Sequence, residues 1–166
     1  MFHHGAGGYA FQGTLCGSLG ACTAFINVVA YDEEKKTHIK LAMDLIAWYT
    51  QQNFPLKKFD DVAEYKDQIQ VLADSPLCHS TVSKWMMAAG ASYNDKNRKD
   101  RCAKVAAATV YRTVELLNVH MEGTFKAMGP NFSESTEKCL GCHGPQGSNN
   151  QMGQLSCTSC HDDHTL

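Results

Sequence analysis

The sequence predicts an all-α protein, with a helical bundle domain followed by a small, loop-rich C-terminal tail. Apolar residues recur at helical spacing in several segments between residues 21 and 121, as they do on the buried faces of amphipathic helices. No stretch of convincing length alternates apolar and polar residues as a half-buried strand does. Gly129 and Pro130 mark a boundary, so we expect domains at 1–128 and 129–166, the first a bundle of about five helices.

The first two predicted helices span residues 21–31 and 33–52. Asp32 precedes the second as its N-cap, and the acidic residues that follow suit the positive end of a helix. The middle of that helix, residues 41–49, is apolar on nearly every side except at Asp44. Such a helix is usually buried on more than one face, and in a chain of this size the second face is predicted to be a subunit interface.

Three further helices are predicted at residues 59–72, 80–90 and 99–121. Proline and glycine residues, which end helices, separate them. The last of these carries Cys102 and His120, which are eighteen residues apart. Eighteen residues make five helical turns, so the two side chains share one side of the helix, roughly 27 Å apart along its axis. We expect this helix to be a rigid strut between two functional centres.

The tail contains two copies of the spacing Cys-x-x-Cys-His, the attachment signature of c-type haem. The copies are Cys139, Cys142, His143 and Cys157, Cys160, His161. In each copy the two thiols bond to one porphyrin and the adjacent His supplies the proximal ligand of the iron. We therefore predict two haem c groups per chain, close together because only residues 144–156 separate the motifs.

Two other interpretations of the tail cysteines are a four-cysteine zinc ribbon and a pair of disulfides. A ribbon requires no His directly after each cysteine pair, yet both pairs here have one. Residues 143–156 also lack the alternating pattern of a ribbon hairpin. The sequence therefore favours haem attachment.

The motif does not fix the second axial ligand of each iron. The unassigned histidines are His3, His4, His38, His79, His120 and His164. His120 is favoured because it ends a helix shortly before the tail, and His164 because it can reach a neighbouring haem. Met121, Met128 and Met152 offer His/Met ligation, which ranks lower because unassigned histidines are plentiful.

The remaining cysteines are Cys16, Cys22, Cys78 and Cys102. Four thiolates hold an iron–sulfur cluster in many proteins, and the glycine-rich loop around Cys16 would let backbone amides approach one. Two structural disulfides or four buried free thiols are the alternatives. Scattered cysteines have no spacing code, so the residues alone leave all three open.

Residues 16–21, Cys-Gly-Ser-Leu-Gly-Ala, followed by Cys78 and Cys102, resemble the bacterial cysteine-motif family built around Cys-Gly-Ala-x-x-Gly-Ala. Combined with the two haem motifs, nearly the whole chain resembles the split-Soret cytochromes c of sulfate-reducing bacteria. Two departures stand out: no cysteine precedes Cys16, where the wider family has one, and Ser18 replaces the usual Ala.

The resemblance implies a homodimer with closely stacked haem planes and bis-histidine iron. It also implies an iron–sulfur centre, [2Fe-2S] or another type, in the helical domain. Cys16, Cys78 and Cys102 carry over by motif as its ligands, and Cys22 is predicted to be the fourth ligand. Metal ligands in the tail would be His143 and His161, with His120 and His164 completing the irons.

These features predict an electron carrier that relays single electrons between redox protein partners, rather than an enzyme. The alternative is a haem-based reductase of a small oxyanion or oxygen species, with one iron position left open. The net charge of -2 gives no reason to propose nucleic acid as a partner, and no apolar run is long enough to span a membrane. Residues 1–5 do not read as a signal peptide, but haem attachment predicts a periplasmic location.

Overall fold

The all-α prediction is confirmed by a computed structural model that describes residues 2–129, 133–159 and 161–164. The chain forms two compact units, Met1–Gly129 and Pro130–Leu166. The helices of the first unit are α1 (Gly17–Val29), α2 (Thr37–Thr50), α3 (Cys78–Ala89) and α4 (Lys96–Met121). The second unit contains α5 (Glu134–His143) and a 3-10 turn, Cys157–Ser159.

The core of the first unit lies where α1, α2 and α4 pack against one another. Leu19 and Ile26 of α1, Leu41 and Leu45 of α2, and Val105 of α4 are all 2% exposed or less. Each pair within a helix is spaced by one or two turns, so one apolar stripe faces the neighbouring helices. Burying each such side chain contributes about 2 kcal/mol relative to leaving it in water.

The predicted helix at residues 59–72 is wrong. This segment instead forms a 3-10 turn at Lys57–Val62 and a short strand, β2, at Val71–Leu72. β2 pairs antiparallel with β1, Asn53–Phe54.

Side chains of α4 explain why this segment is not a helix. The Asp100 carboxylate accepts hydrogen bonds from the backbone N–H groups of Glu64 and Tyr65. Lys104, buried on the same helix, bonds the Asp60 carboxylate and the Tyr65 carbonyl. These side chains satisfy backbone groups that a helix would otherwise have to pair internally.

Several predicted helix boundaries are corrected by the structure. α1 begins four residues earlier than predicted, at Gly17, and α3 begins at Cys78 rather than after Ser80. Asp32 does not cap α2, because its carboxylate accepts from the N–H of Lys35 in a turn that precedes the helix. α5 was not predicted, and Ser133 caps it by accepting from the N–H of Thr136.

The end of the first unit is tied to α2 by a buried carboxylate. Asp44, only 2% exposed, accepts hydrogen bonds from the N–H of Met128 with both oxygens, at 3.3 and 3.2 Å. This explains why a charged residue lies on an otherwise apolar stretch of α2. Within the described residues, no helix combines the length and apolar character needed to cross a bilayer.

Candidate metal centre and haem-attachment segments

Cys16 and Cys78 are brought together by a short antiparallel pairing of two loops. Leu15 and Leu77 form an isolated β-bridge. The N–H of Cys16 donates to the Pro76 carbonyl at 2.9 Å, and the N–H of Cys78 donates to the Thr14 carbonyl at 2.7 Å. Because Cys16 is the N-cap residue of α1 and Cys78 the first residue of α3, the positive ends of two helices meet at this point.

The glycine-rich N-terminal segment packs directly on Cys78. Gly8 has a left-handed backbone, with φ of +75°, and a Cβ there would lie 2.6 Å from the Cβ of Cys78. Tyr9, Ala10 and Phe11 also have positive φ, which is costly for residues with side chains. Strained backbone of this kind is concentrated at functional sites in proteins.

Cys102 completes a group of three cysteines around one cavity. It lies in the second turn of α4, and the cavity, about 680 Å³ in volume, is lined by Cys16, Cys78 and Cys102. All three thiols are half-buried. Arg98 and Arg101, which precede Cys102 on α4, line the same cavity.

The three thiols influence one another electrostatically. The pKa of Cys78 is raised to about 11, first by burial and then by the neighbouring Cys16 and Cys102, while Arg101 and Arg98 partly oppose the shift. Close thiols disfavour one another's ionisation. A bound metal reverses this preference, since thiolates rather than thiols are metal ligands and metal binding releases their protons.

Three residues of this site were missed by the sequence analysis. Tyr49 of α2 is fully buried, its hydroxyl has no hydrogen-bond partner, and its pKa is raised first by burial and next by Cys16. Arg98 and Arg101 were also missed. Their spacing indicated a place near the site, because Arg98, Arg101 and Cys102 lie within one and a half turns of one helix.

The arrangement of the cysteines fits a group of several atoms better than a single ion. Among residues 2–129, 133–159 and 161–164, no three Cys, His, Asp or Glu side chains gather closely enough to hold one metal ion. The three thiols are instead spread around a cavity that also receives the N-terminus of α1 and two guanidinium groups. Such surroundings suit an anionic cluster with sulfur atoms at its corners.

Cys22 is not brought to this cavity. It lies six residues after Cys16 on α1, is 6% exposed and belongs to the apolar core. Burial raises its pKa, Thr113 partly opposes the shift and Cys16 adds to it. Its predicted role as a ligand is therefore not supported by a shared cavity, and Cys22 is a free thiol, as are the other six cysteines that the structure describes.

In the second unit, α5 carries the first haem-attachment motif. Cys139 is half-buried and Cys142 exposed near the C-terminal end of this helix, and His143 is its last residue. The Nδ1 of His143 lies 2.9 Å from the side-chain oxygen of Asn150. With Nδ1 engaged by an acceptor, Nε2 carries the free lone pair that binds a metal.

His164 lies beside His143. The two ring centres are 5.9 Å apart and the ring planes are nearly perpendicular, at 83°. The Nδ1 of His164 faces the carbonyl of Asp162 at 3.4 Å. The structure thus groups two of the predicted axial ligands in the tail.

The second motif is described only in part, because Cys160 lies outside the described residues. Cys157 begins a 3-10 turn, and the N–H of His161 donates to its carbonyl at 2.9 Å. Cys139 contributes, after burial, to raising the pKa of Cys157. The first cysteines of the two motifs are therefore neighbours.

His120 lies in a different part of the helical unit from the cysteine cavity. It is on α4 with Cys102, as predicted, and lines a separate cavity of about 400 Å³ with Asp32, Lys35 and Lys40. Its role as an axial ligand stays a prediction.

This cysteine arrangement lies in a part of the chain that matches a known protein family. Residues 1–116 match the family model described as "Putative redox-active protein (C_GCAxxG_C_C)". The chain belongs to this family. The matched region contains the whole cavity that Cys16, Cys78 and Cys102 line.

The chain is also similar to split-Soret cytochrome c from Desulfovibrio desulfuricans, with 29% identity over 167 residues. That similarity covers 97% of this chain but only 58% of the relative. A solved structure, reported as showing a novel iron centre in the split-Soret cytochrome c of the same species, matches with a TM-score of 0.84 and 27% identity. The structural match covers 99% of this chain and 70% of the chain in the solved structure. The chain thus spans 58% of the length of this relative, and the family to which it belongs is described as redox-active.

The family pattern has a physical basis in this structure. In GCAxxG the cysteine and the last glycine are four residues apart, as are Cys16 and Gly20 here. A Cβ on Gly20 would lie 2.8 Å from the ring of Tyr9, so the missing side chain lets the N-terminal segment pack on α1. The pattern includes one cysteine before this motif, and no cysteine precedes Cys16 in this chain.

Proposed function

We propose that this family member is a one-electron carrier in which the tail holds two haem c groups and the helical unit holds an iron–sulfur centre. The observation that carries the proposal is the single cavity lined by Cys16, Cys78 and Cys102, in a chain that ends in two haem-attachment motifs. The function requires one electron taken from a reduced protein partner and one passed to an oxidised partner. No bond is made or broken.

The iron–sulfur centre, [2Fe-2S] or another type, would be held by the three thiolates of the cavity. Iron bound by thiolate and sulfide supplies a reversible one-electron couple. The chain contributes ligands, helix N-termini directed at negative charge, and partial exclusion of water. Cys22 does not line the cavity, whereas His3 and His79 do, so these histidines are the nearest candidates for a further ligand.

A haem attached to Cys139 and Cys142 would be held by His143, and His164 is the nearest described histidine that could serve as a second ligand, with ring centres 5.9 Å apart. Iron bound by two histidines would supply one-electron transfer without a site for substrate, which favours the carrier over the alternative of a reductase.

A homodimer with stacked haems and a periplasmic location are parts of the same proposal. α1 and α4 pack against each other and leave large apolar side chains exposed: Phe25, Val28, Val29, Val110 and Val114. Exposed apolar clusters of this kind are typical of subunit contacts. The location is inferred from the attachment motifs, because covalent haem attachment in bacteria takes place after export.

The first test is the absorption spectrum of the oxidised and the dithionite-reduced protein, with iron and acid-labile sulfide counted per chain. We expect c-type bands from two haems, iron in excess of the haem, stoichiometric sulfide, and no change on adding carbon monoxide. The same sample should have the mass of a dimer in light scattering. A colourless protein containing zinc would overturn the haem assignment, and carbon monoxide binding would favour the reductase.

A substitution at Asn150 tests the orientation of His143. Asn150→Ala removes the acceptor at Nδ1, and loss of such a partner typically weakens metal binding by about 10- to 100-fold. We expect one haem to bind carbon monoxide in the variant and its reduction potential to change. The exposed Gln154→Ala is the control. If both variants resist carbon monoxide equally, Asn150 does not hold the ligand.

A further inference from the structure

A buried positive charge without a counter-charge lies beside the cysteine cavity. The Arg101 side chain is 1% exposed and is among the largest fully buried side chains. Its Nη2 donates to the hydroxyl of Thr81 at 2.9 Å and to the Thr81 carbonyl at 3.3 Å. Its Nε has no hydrogen-bond partner. A buried guanidinium is unfavourable unless it is paired.

The carboxylate nearest in sequence does not serve Arg101. Asp100 bonds the N–H groups of Glu64 and Tyr65 and forms an ion pair with Lys104. None of the ion pairs found among the described residues includes Arg101. Neutral acceptors on α3 therefore hold this charge, and an anion bound in the cavity that Arg101 lines would supply the missing counter-charge.

A second feature of the same cavity is also suited to negative charge. Gly17 and Ser18, in the first turn of α1, line the cavity, and amides of a first turn have no acceptor within their own helix. Cys16, the N-cap residue, makes no side-chain cap to them. The positive end of α1 and the buried charge of Arg101 thus meet in one cavity, which is a built environment for an anion.

We propose that Arg101 is the fixed counter-charge of an anionic iron–sulfur centre bound by Cys16, Cys78 and Cys102, and that it raises the reduction potential of that centre. The inference rests on the proposed function. A fixed positive charge stabilises the reduced centre more than the oxidised one, because the reduced centre carries one more negative charge. Without the centre the same charge is unpaired, so Arg101 destabilises the apo helical unit.

Arg98 provides a matched comparison on the same helix. It lines the same cavity one turn earlier but is only half-buried. Its Nε donates to the Tyr93 carbonyl and its guanidinium stacks on the Tyr93 ring at 4.8 Å. Water screens a partly exposed charge, so Arg98 should affect the centre less than Arg101.

The test compares Arg101→Met, Arg101→Lys and Arg98→Met in the full chain. The potential of the non-haem iron is measured by redox titration followed by electron paramagnetic resonance, and thermal unfolding is measured on the iron-depleted protein. In Arg101→Met we expect the reduction equilibrium constant to fall at least tenfold, about 59 mV for one electron. We also expect the iron-depleted variant to unfold at the wild-type temperature or above it. Arg101→Lys should keep most of the wild-type potential, and Arg98→Met should shift it less.

The outcomes separate this inference from the proposed function. If the wild-type protein contains no non-haem iron, both fail together. If the iron is present and Arg101→Met leaves its potential unchanged, only the role of Arg101 is overturned. A lower unfolding temperature of the iron-depleted Arg101→Met protein, or failure of that variant to fold, would show that Arg101 serves Thr81 and the packing of α3, and would overturn the inference as well.

Discussion

Replacing Cys78 with serine should remove the non-haem iron from the protein and leave both haems attached. Both of the other cavity cysteines, Cys16 and Cys102, raise the pKa of Cys78, so its thiol is close to each of them. A serine hydroxyl at the same place ionises far less readily than a thiol and is a poor ligand for iron in a sulfide cluster. The expected result is iron equal to the haem content, no acid-labile sulfide and unchanged c-type absorption bands.

Cys22→Ala is the matched control for that substitution. Cys22 is buried in the apolar core and does not line the cavity, so its loss should cost about 1 kcal/mol of stability through the small void it leaves. Its iron and sulfide contents should equal those of the wild type. Loss of the centre in Cys22→Ala would instead make Cys22 the fourth ligand and would require α1 to be arranged differently in the loaded protein.

The position of Cys22 was accessible from the sequence. Six residues along a helix turn the side chain by about 240°, so once α1 begins at Gly17, Cys22 points away from the direction of the helix start and into the core. The apolar pattern alone predicts a helix start four residues later, at residue 21, which leaves Cys16 in a loop with no fixed direction. The prediction of Cys22 as the fourth ligand thus depended on a helix boundary that the structure corrects, and the role of Cys22 stays a prediction.

The misassigned helix at 59–72 has a different cause. Its apolar residues do recur at helical spacing, but Asp100 and Lys104, more than thirty positions along the chain, bind its backbone. Contacts between such distant residues override local preference, and periodicity within a short window cannot reveal them.

The convergence of the three cysteines is likewise a property of the fold. Motif resemblance named Cys16, Cys78 and Cys102, but the pairing of Leu15 with Leu77 places the first two side by side. The unpaired charge of Arg101 becomes visible only when burial and hydrogen bonds are known. Sequence reasoning therefore found the three cysteines of the cavity, whereas the structure was needed to find the charged groups that surround them.

The second large effect is expected from Gly8→Ala. Gly8 has a φ of +75°, and a Cβ there would lie 2.6 Å from the Cβ of Cys78 and 2.8 Å from backbone atoms of Gly13 and Thr14. Backbone strain and overpacking together should cost about 3 kcal/mol. Because Cys78 and the Thr14 loop must move to make room, we expect the non-haem iron content to fall strongly while the haem bands stay unchanged.

Gly90→Ala separates the two causes of that effect. Gly90 ends α3 with a similar left-handed backbone, φ of +62°, but a Cβ there meets nothing within 4 Å. It should cost only the backbone strain, about 1 kcal/mol, and keep its iron. Unfolding curves and iron analysis of both variants check the comparison. If Gly8→Ala kept its iron and lost no more stability than Gly90→Ala, the N-terminal segment would not be packed on Cys78 in the working protein, and its left-handed turn would have no part in holding the metal site.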